Sequence, residues 1–381
     1  MFITQLKLKN WRNFRQVDLS LSRITYLIGP NASGKSNILD ALRFLHDIAK
    51  PEGGGLQRAI RERGGIAKLR SLHGEAEAEV VIEATLAPDF ASPAVWRYRL
   101  AFTVECAESQ RPQIVAEEIY HHGVALLKRP DHNDREDQLL RTETHLEQSV
   151  ANRMFRAVVH AFDQITYLHP LPQLLKYREK IGGNRGQDDP YMQDFLERIA
   201  GSPSALRKAR IEQIEAILRV AVPQFAELRF EQDVMGSPHL ATRFSHHRLH
   251  ADWQREEYFS DGTLRLLALL WSLQEGAGVL LLEEPELSLH EAVVEQIPAL
   301  IDSIQRSRQS ERQLLMSTHS EALLRNPAID PESIILLTPG AEGSIARGVN
   351  EAEKIGLNAG LTIPDVLFPQ TRPAGIEKLG L

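Results

Sequence analysis

Gly29-Pro30-Asn31-Ala32-Ser33-Gly34-Lys35-Ser36 stands between two unlike segments. Before it, residues 24–28 form a short apolar run, read as a buried strand. After it, Ile38, Leu39, Leu42, Leu45 and Ile48 recur at helical spacing over residues 36–48. The octapeptide matches G-x-x-x-x-G-K-[ST] in full, in the strand-loop-helix setting that this phosphate-binding loop requires. Glycines let the backbone fold tightly enough to aim N–H groups at phosphate oxygens, and the helix behind adds its positive end. Asn31, Ala32, Ser33 and Gly34 are therefore expected to cradle the phosphates. Lys35 is expected to reach the β- and γ-phosphates, and the Ser36 hydroxyl to ligate Mg²⁺. A glycine-rich turn with a chance match is the plainer reading, and the flanking segments argue against it.

Farther along, Val279-Leu280-Leu281-Leu282 reads as a buried strand from its unbroken apolar run. It ends in Glu283-Glu284-Pro285-Glu286. Adjacent carboxylates at a strand's C-terminal end suit a metal-and-water site in phosphoryl transfer, with Glu283 on the metal and Glu284 polarising the attacking water. Alone, the same residues read equally as a solvated acidic loop. Ser260-Asp261-Gly262-Thr263 lies 23 residues before Glu283 and opens another helical stretch, and Ser317-Thr318-His319-Ser320 follows a further strand, with His319 35 residues beyond Glu284.

This order resembles the ATP-binding cassette (ABC) class of ATPases: Walker A, signature, Walker B, D-loop (residues 286–290) and switch histidine. Within it, Asn10-Trp11-Arg12-Asn13-Phe14 and Asn37 resemble the branch of SMC, RecF and overcoming-lysogenization-defect proteins. Ser260 to Arg265 and Leu282 to Glu286 resemble the compact AAA-ATP-binding-domain proteins (the AAA15-like group). The likeness covers residues 1–50 and 255–340 well and the middle loosely. It implies ATP and Mg²⁺ as ligands. It implies that Arg12 touches phosphate or a partner subunit, that His319 bonds the γ-phosphate, and that Ser260 with the backbone at Gly262 caps an ATP bound to a second copy. One loop and one signature per chain then imply a head-to-tail homodimer, or a higher oligomer built on it. Two residues depart from the pattern: Asp261 stands where the signature usually has glycine, and Glu283 where the acid pair usually has aspartate. No glutamine stands clearly at the position of the class's Q-loop; Gln164 and Gln173 flank it.

Around these motifs the expected fold class is α/β. It is an ABC-type ATPase head with a parallel core sheet, flanking helices, an antiparallel β lobe and a helical insertion. No heptad run sustains a long coiled coil. The division expected is a split ATPase core (1–50 and 250–340), a β-rich lobe returning to the core (51–168), a helical and hairpin insertion (169–249) and a C-terminal tail (341–381). Within these, residues 130–137 read as a charged exposed loop, 146–162 as a helix and 202–222 as a helix capped by Ser202 or Ser204.

Composition narrows the class further. The chain carries 51 acidic residues against 44 Lys and Arg, a net charge of −7, which excludes a wholly basic nucleic-acid coat but not a local basic face. Cys106 is the sole cysteine, so neither an intrachain disulfide framework nor a cysteine zinc site is available. No apolar stretch approaches a membrane span, and no secretory leader is read at the start, so a cytoplasmic protein without membrane contact is expected. His246, His247 and His250 form a cluster better read as an exposed hairpin than as a metal site. Basic runs at 58–70 and 176–185 suit solvated surface or a DNA or RNA backbone. The 61 residues after Ser320 show no nuclease acid pattern, so effector chemistry is expected on a separate nuclease or toxin partner. The functional expectation is a Mg²⁺-dependent ATPase serving as sensor or motor subunit of a prokaryotic anti-phage defence or DNA-maintenance system. A slow-turnover ATP-gated scaffold is the alternative, and a transporter subunit a remote one.

Overall fold

The computed structural model describes residues 1–50, 53–71, 73, 79–104, 111–177, 189, 191–245, 253–307 and 311–372. Cys106 and the cluster His246, His247 and His250 lie outside the described residues, as does most of the 176–185 basic run.

Fifteen strands occur among the described residues: β1 (Phe2–Trp11), β2 (Phe14–Ser20), β3 (Ile24–Ile28), β4 (Val80–Ala87), β5 (Trp96–Thr103), β6 (Gln113–His121), β7 (Val124–Arg129), β8 (Thr166–Leu168), β9 (Phe225–Gln232), β10 (Pro238–Phe244), β11 (Gln254–Arg255), β12 (Val279–Glu283), β13 (Gln313–Thr318), β14 (Ile334–Thr338) and β15 (Ile345–Gly348). They form three sheets, ordered β2-β1-β4-β5-β6-β7, β11-β10-β9 and β15-β14-β3-β13-β12-β8. The first is antiparallel throughout. The third is parallel except for its last strand, β15. This is an α/β fold with a mainly parallel core sheet, an antiparallel sheet and flanking helices, with no long coiled coil among the described residues.

Burial follows side-chain alternation. In the parallel sheet Leu27, Leu281, Leu315 and Leu337 face one core, while Ile28, Leu280, Leu282, Leu314, Met316 and Leu336 face another. A continuous apolar run is what a strand covered on both faces needs. The first core is filled by α1 (Lys35–Ala49), wedged between the parallel and antiparallel sheets. Ile38, Leu39, Leu42, Phe44, Leu45 and Ile48 are all fully buried. Phe44 stacks on Phe102 at 5.6 Å and meets Trp11 edge-on at 5.4 Å. On the other face lies the helix Asp261–Gln274, buried from Thr263 to Leu273, with the helix Ile297–Ser307.

Several elements differ from the expectation. Within residues 2–20, β1 pairs with β2 on one side and with β4 on the other, in the antiparallel sheet. A register shift between Ile3 and Gln5 lets Ile3, Leu6 and Leu8 all point inward despite their uneven spacing. Residues 345–348, read as tail, form the edge strand β15 of the parallel sheet. Residues 146–162 break into a 3₁₀ turn (Ala151–Met154) and a shorter helix (Arg156–Asp163). The helix Ser204–Ala221 has Pro203 at its N-cap and no side-chain cap.

The 130–137 stretch is largely exposed, as expected, but it is not a plain loop. It holds a short helix (His132–Glu136) whose Asp134 is 2% exposed and ion-paired to Arg129. A buried cation recruits the acid that looked solvated.

Candidate functional site

Three neighbouring parallel strands end together. Their register aligns Glu283 of β12 with Ser317 of β13, and Ser317 with Leu27 of β3. The segments leaving these strands therefore emerge side by side: the loop 29–36, the acid pair and His319. The crevice beyond the carboxyl ends of parallel strands is where such sheets bind ligands.

The loop after β3 needs its glycines. Gly34 has φ of +106°, and a Cβ there would come within 2.5 Å of the Asn13 amide and 2.6 Å of the Phe14 ring. Ala32 also has positive φ, +63°. Lys35 is 6% exposed, and its Nζ donates to the carbonyls of Gly29 (2.9 Å) and Pro30 (3.2 Å). Burial pushes its pKa down, while Glu284, Glu286 and Glu283 push it back up. Ser33 is fully buried and Asn31 is exposed.

Across from the loop, Ser36 Oγ donates to Glu283 Oε1 at 2.5 Å. The other Glu283 oxygen accepts from the Tyr167 hydroxyl of β8, which pairs in parallel with β12. Glu284 has a strained φ of +43°, held by its N–H donating to the Ser317 carbonyl at 3.1 Å. Its Oε1 lies 3.1 Å from His319 Nδ1. Glu286 is buried, with Oε1 accepting from Thr318 Oγ1 at 2.5 Å; burial pushes its pKa up.

The structure thus brings together Lys35, Ser36, Glu283, Glu284 and His319. The other candidates make contacts of their own. Arg12 (φ +54°) pairs with Asp40 of α1 at 2.7 Å and reaches the Lys68 carbonyl. Asn37 accepts the Trp11 indole N–H on its carbonyl, and its amide donates to Asn13. Ser260 caps the helix Asp261–Gln274, accepting from the Thr263 N–H at 3.1 Å. Gly262 packs against the loop after the acid pair, where a Cβ would come within 2.4 Å of the Ser288 carbonyl. Gln173 bonds Asp261 rather than the acid pair.

Three contributors carried no assigned role in the sequence, though Asn13 lies in the 10–14 motif and Tyr167 opens the segment that resembles the Q-loop position. Tyr167 is one; strand alternation places it on a face but not its partner. Asn13 is another, donating to the Ser33 carbonyl at 3.0 Å and to Ser344 Oγ at 2.7 Å, so it staples the loop to the turn after β14. The third is the segment after residue 363. With Asn31, His319 and Pro339, Phe368, Gln370 and Arg372 line a cavity of about 1150 Å³ beside the loop.

The pair Ser36 and Glu283 offers oxygens only, from a hydroxyl and one carboxylate, the hard donor set that Mg²⁺ shares with substrate phosphates. No group of three or more His, Cys, Asp or Glu able to hold a metal by themselves occurs among the described residues. Nor is any helix among them long and apolar enough to cross a membrane.

Comparison with known proteins gives a family and a fold. Residues 24–325 match the model of the family described as "AAA domain, putative AbiEii toxin, Type IV TA system". The DNA replication and repair protein RecF of Roseiflexus castenholzii is 39% identical over 62 residues, 16% of either chain. RecF of Bacillus mycoides is 44% identical over 46 residues, 12% of either chain. The chain thus spans about a sixth or less of the length of these curated relatives. Among solved structures, an SMC head bound to the C-terminal winged-helix domain of ScpA superposes with a TM-score of 0.54 at 17% identity, over 93% of this chain and all of that one. An SMC head with an extended coiled coil, bound to the C-terminal domain of ScpA from Pyrococcus furiosus, gives 0.51 at 14% identity, over 94% and 98%.

Proposed function

The chain belongs to this AAA-domain family, with an SMC/RecF-like ABC-class ATPase head, and from that premise we propose that it is a Mg²⁺-dependent ATP hydrolase that dimerises around ATP. The observation that carries the reading is the convergence of Lys35, Ser36, Glu283, Glu284 and His319 at three adjacent strand ends.

In this reading the N–H groups of residues 31–36 and the Lys35 ammonium hold the β- and γ-phosphates. Ser36 and Glu283 would hold Mg²⁺, which would supply neutralisation of phosphate charge. Glu284 accepts a proton from water as its oxygen bonds to the γ-phosphorus. The bond from that phosphorus to the bridging oxygen breaks, and ADP and phosphate leave. His319 hydrogen-bonds the γ-phosphoryl oxygens and keeps Glu284 oriented through their 3.1 Å contact. Arg12, Asn31, Ala32, Ser33, Gly34 and Asn37 shape the nucleotide side. Ser260 and Gly262 close the site of a second copy, because a helix N-terminus with free N–H groups suits a γ-phosphate.

The biological role proposed is sensor or motor subunit of a prokaryotic anti-phage defence or DNA repair and maintenance system in the cytoplasm, with a separate nuclease or toxin as effector and DNA or RNA as trigger. A second reading, a slow ATP-gated scaffold for such an effector, is favoured by the two departures Glu283 and Asp261. Phosphate release from Mg-ATP tests the first. Wild type should turn over, Lys35→Ala should lose nucleotide binding, and Glu284→Gln should bind ATP but release phosphate about a hundredfold or more slowly. Equal, near-zero release from wild type and Glu284→Gln, with or without DNA, would favour the scaffold.

A further inference from the structure

Asp261 is the first residue of the helix Asp261–Gln274, between Ser260 and Gly262. A carboxylate there suits its own helix dipole. It is wrong for a surface that has to meet a phosphate, since like charges brought together repel. The structure shows how that charge is handled. Lys176 Nζ lies 2.6 Å from Asp261 Oδ1, and Gln173 Nε2 donates to Oδ2 at 2.9 Å. Both donors come from one short helix, Pro172–Lys176, which follows β8. Each carboxylate oxygen therefore has its own donor, one of them cationic, and the Lys176 side chain is mostly buried at 15% exposure. On its other side the loop is pinned by the close approach of Gly262 to the Ser288 carbonyl.

We propose that Lys176, assisted by Gln173, is a positioning residue that neutralises Asp261 and draws its carboxylate aside, so that the signature loop can approach the γ-phosphate bound to a second copy of this chain. This rests on the ATP-dependent dimer proposed above. It makes the Lys176–Asp261 pair a substitute for the glycine of the usual signature. The two residues should then be interdependent: losing the cation should harm association only while the anion remains.

The test uses the full chain carrying Glu284→Gln, which is expected to retain bound ATP. Dimer dissociation constants are measured by sedimentation with ATP and Mg²⁺, and ATP affinity by equilibrium binding. Adding Lys176→Met should weaken the ATP-dependent dimer about tenfold or more while leaving ATP affinity within about twofold, because its own phosphate loop is intact. Lys176→Arg should retain association, and adding Asp261→Asn to Lys176→Met should recover most of the loss, the coupling a double-mutant cycle detects. Undiminished association by Lys176→Met, or no recovery with Asp261→Asn, would overturn the proposal while leaving the dimer standing. A Glu284→Gln parent that does not associate with ATP would overturn the dimer and this proposal together.

Discussion

Glu283 is one methylene longer than the aspartate its position usually carries, and the longer arm is held at both ends. Ser36 donates to one oxygen and Tyr167 to the other. Burial first, and then the neighbouring carboxylate, push the Tyr167 pKa up, so the phenol stays a donor across the physiological range. Tyr167→Phe should therefore raise the Mg²⁺ concentration for half-maximal phosphate release about tenfold, the worth of one hydrogen bond to a charged group. A magnesium titration reads it, and an unchanged midpoint would show that Tyr167 only packs. Asp194 gives a prediction in pH. Burial, then the neighbouring Asp189, raise its pKa from 3.8 to about 7. Well below pH 3.8 the group is neutral whether the chain is folded or unfolded. As pH rises toward 7, the unfolded chain ionises first and the folded state loses stability. Asp194→Asn should thus raise the melting temperature at pH 8 and do so less at pH 4.5. An equal gain at both values would contradict the assignment.

The phosphate loop was legible because its motif is local: glycine positions, a lysine and a hydroxyl in eight consecutive residues. The acid pair and His319 were legible through strand ends, which apolar runs mark. What the sequence concealed is long-range pairing. That β8 borders β12, and so aims Tyr167 at Glu283, depends on sheet order. Likewise the β-lobe ion cluster cannot be read from a charged loop. The Arg129 side chain is 1% exposed, with Glu117 at 3.0 Å, Asp134 beside it, and the carbonyls of Glu143 and Leu140 accepting its remaining N–H groups. Burial pushes the Glu117 pKa up, and Arg129 and the His145 N–H oppose it. Such a cluster tolerates its charges only as a set. Arg129→Ala leaves two buried carboxylates without their cation and should cost about 3–5 kcal/mol in urea unfolding. A loss within about 0.5 kcal/mol, typical of a surface site, would show that water already reaches the cluster.

At the scale of the molecule, two sheets clamp α1, and the nucleotide loop opens directly into that helix. Residues from opposite ends of the chain share the site: Asn13 joins the loop to Ser344, and Phe368 to Arg372 wall the adjoining cavity. Part of this was foreseeable, since both chain ends carried the family's motifs. The antiparallel placement of β1 and β2 was not, because alternation specifies which face is buried and not which strand lies alongside. Lys35, the acid pair and His319 converge within one chain, whereas Ser260 and Gly262 sit against the loop containing Ser288. The role proposed for the signature surface is to meet the nucleotide held by a second copy. Sedimentation velocity of the Glu284→Gln chain tests that most directly. The account predicts a monomer without nucleotide or with ADP, and a dimer with ATP and Mg²⁺. A sedimentation coefficient unchanged by ATP and Mg²⁺ would contradict it.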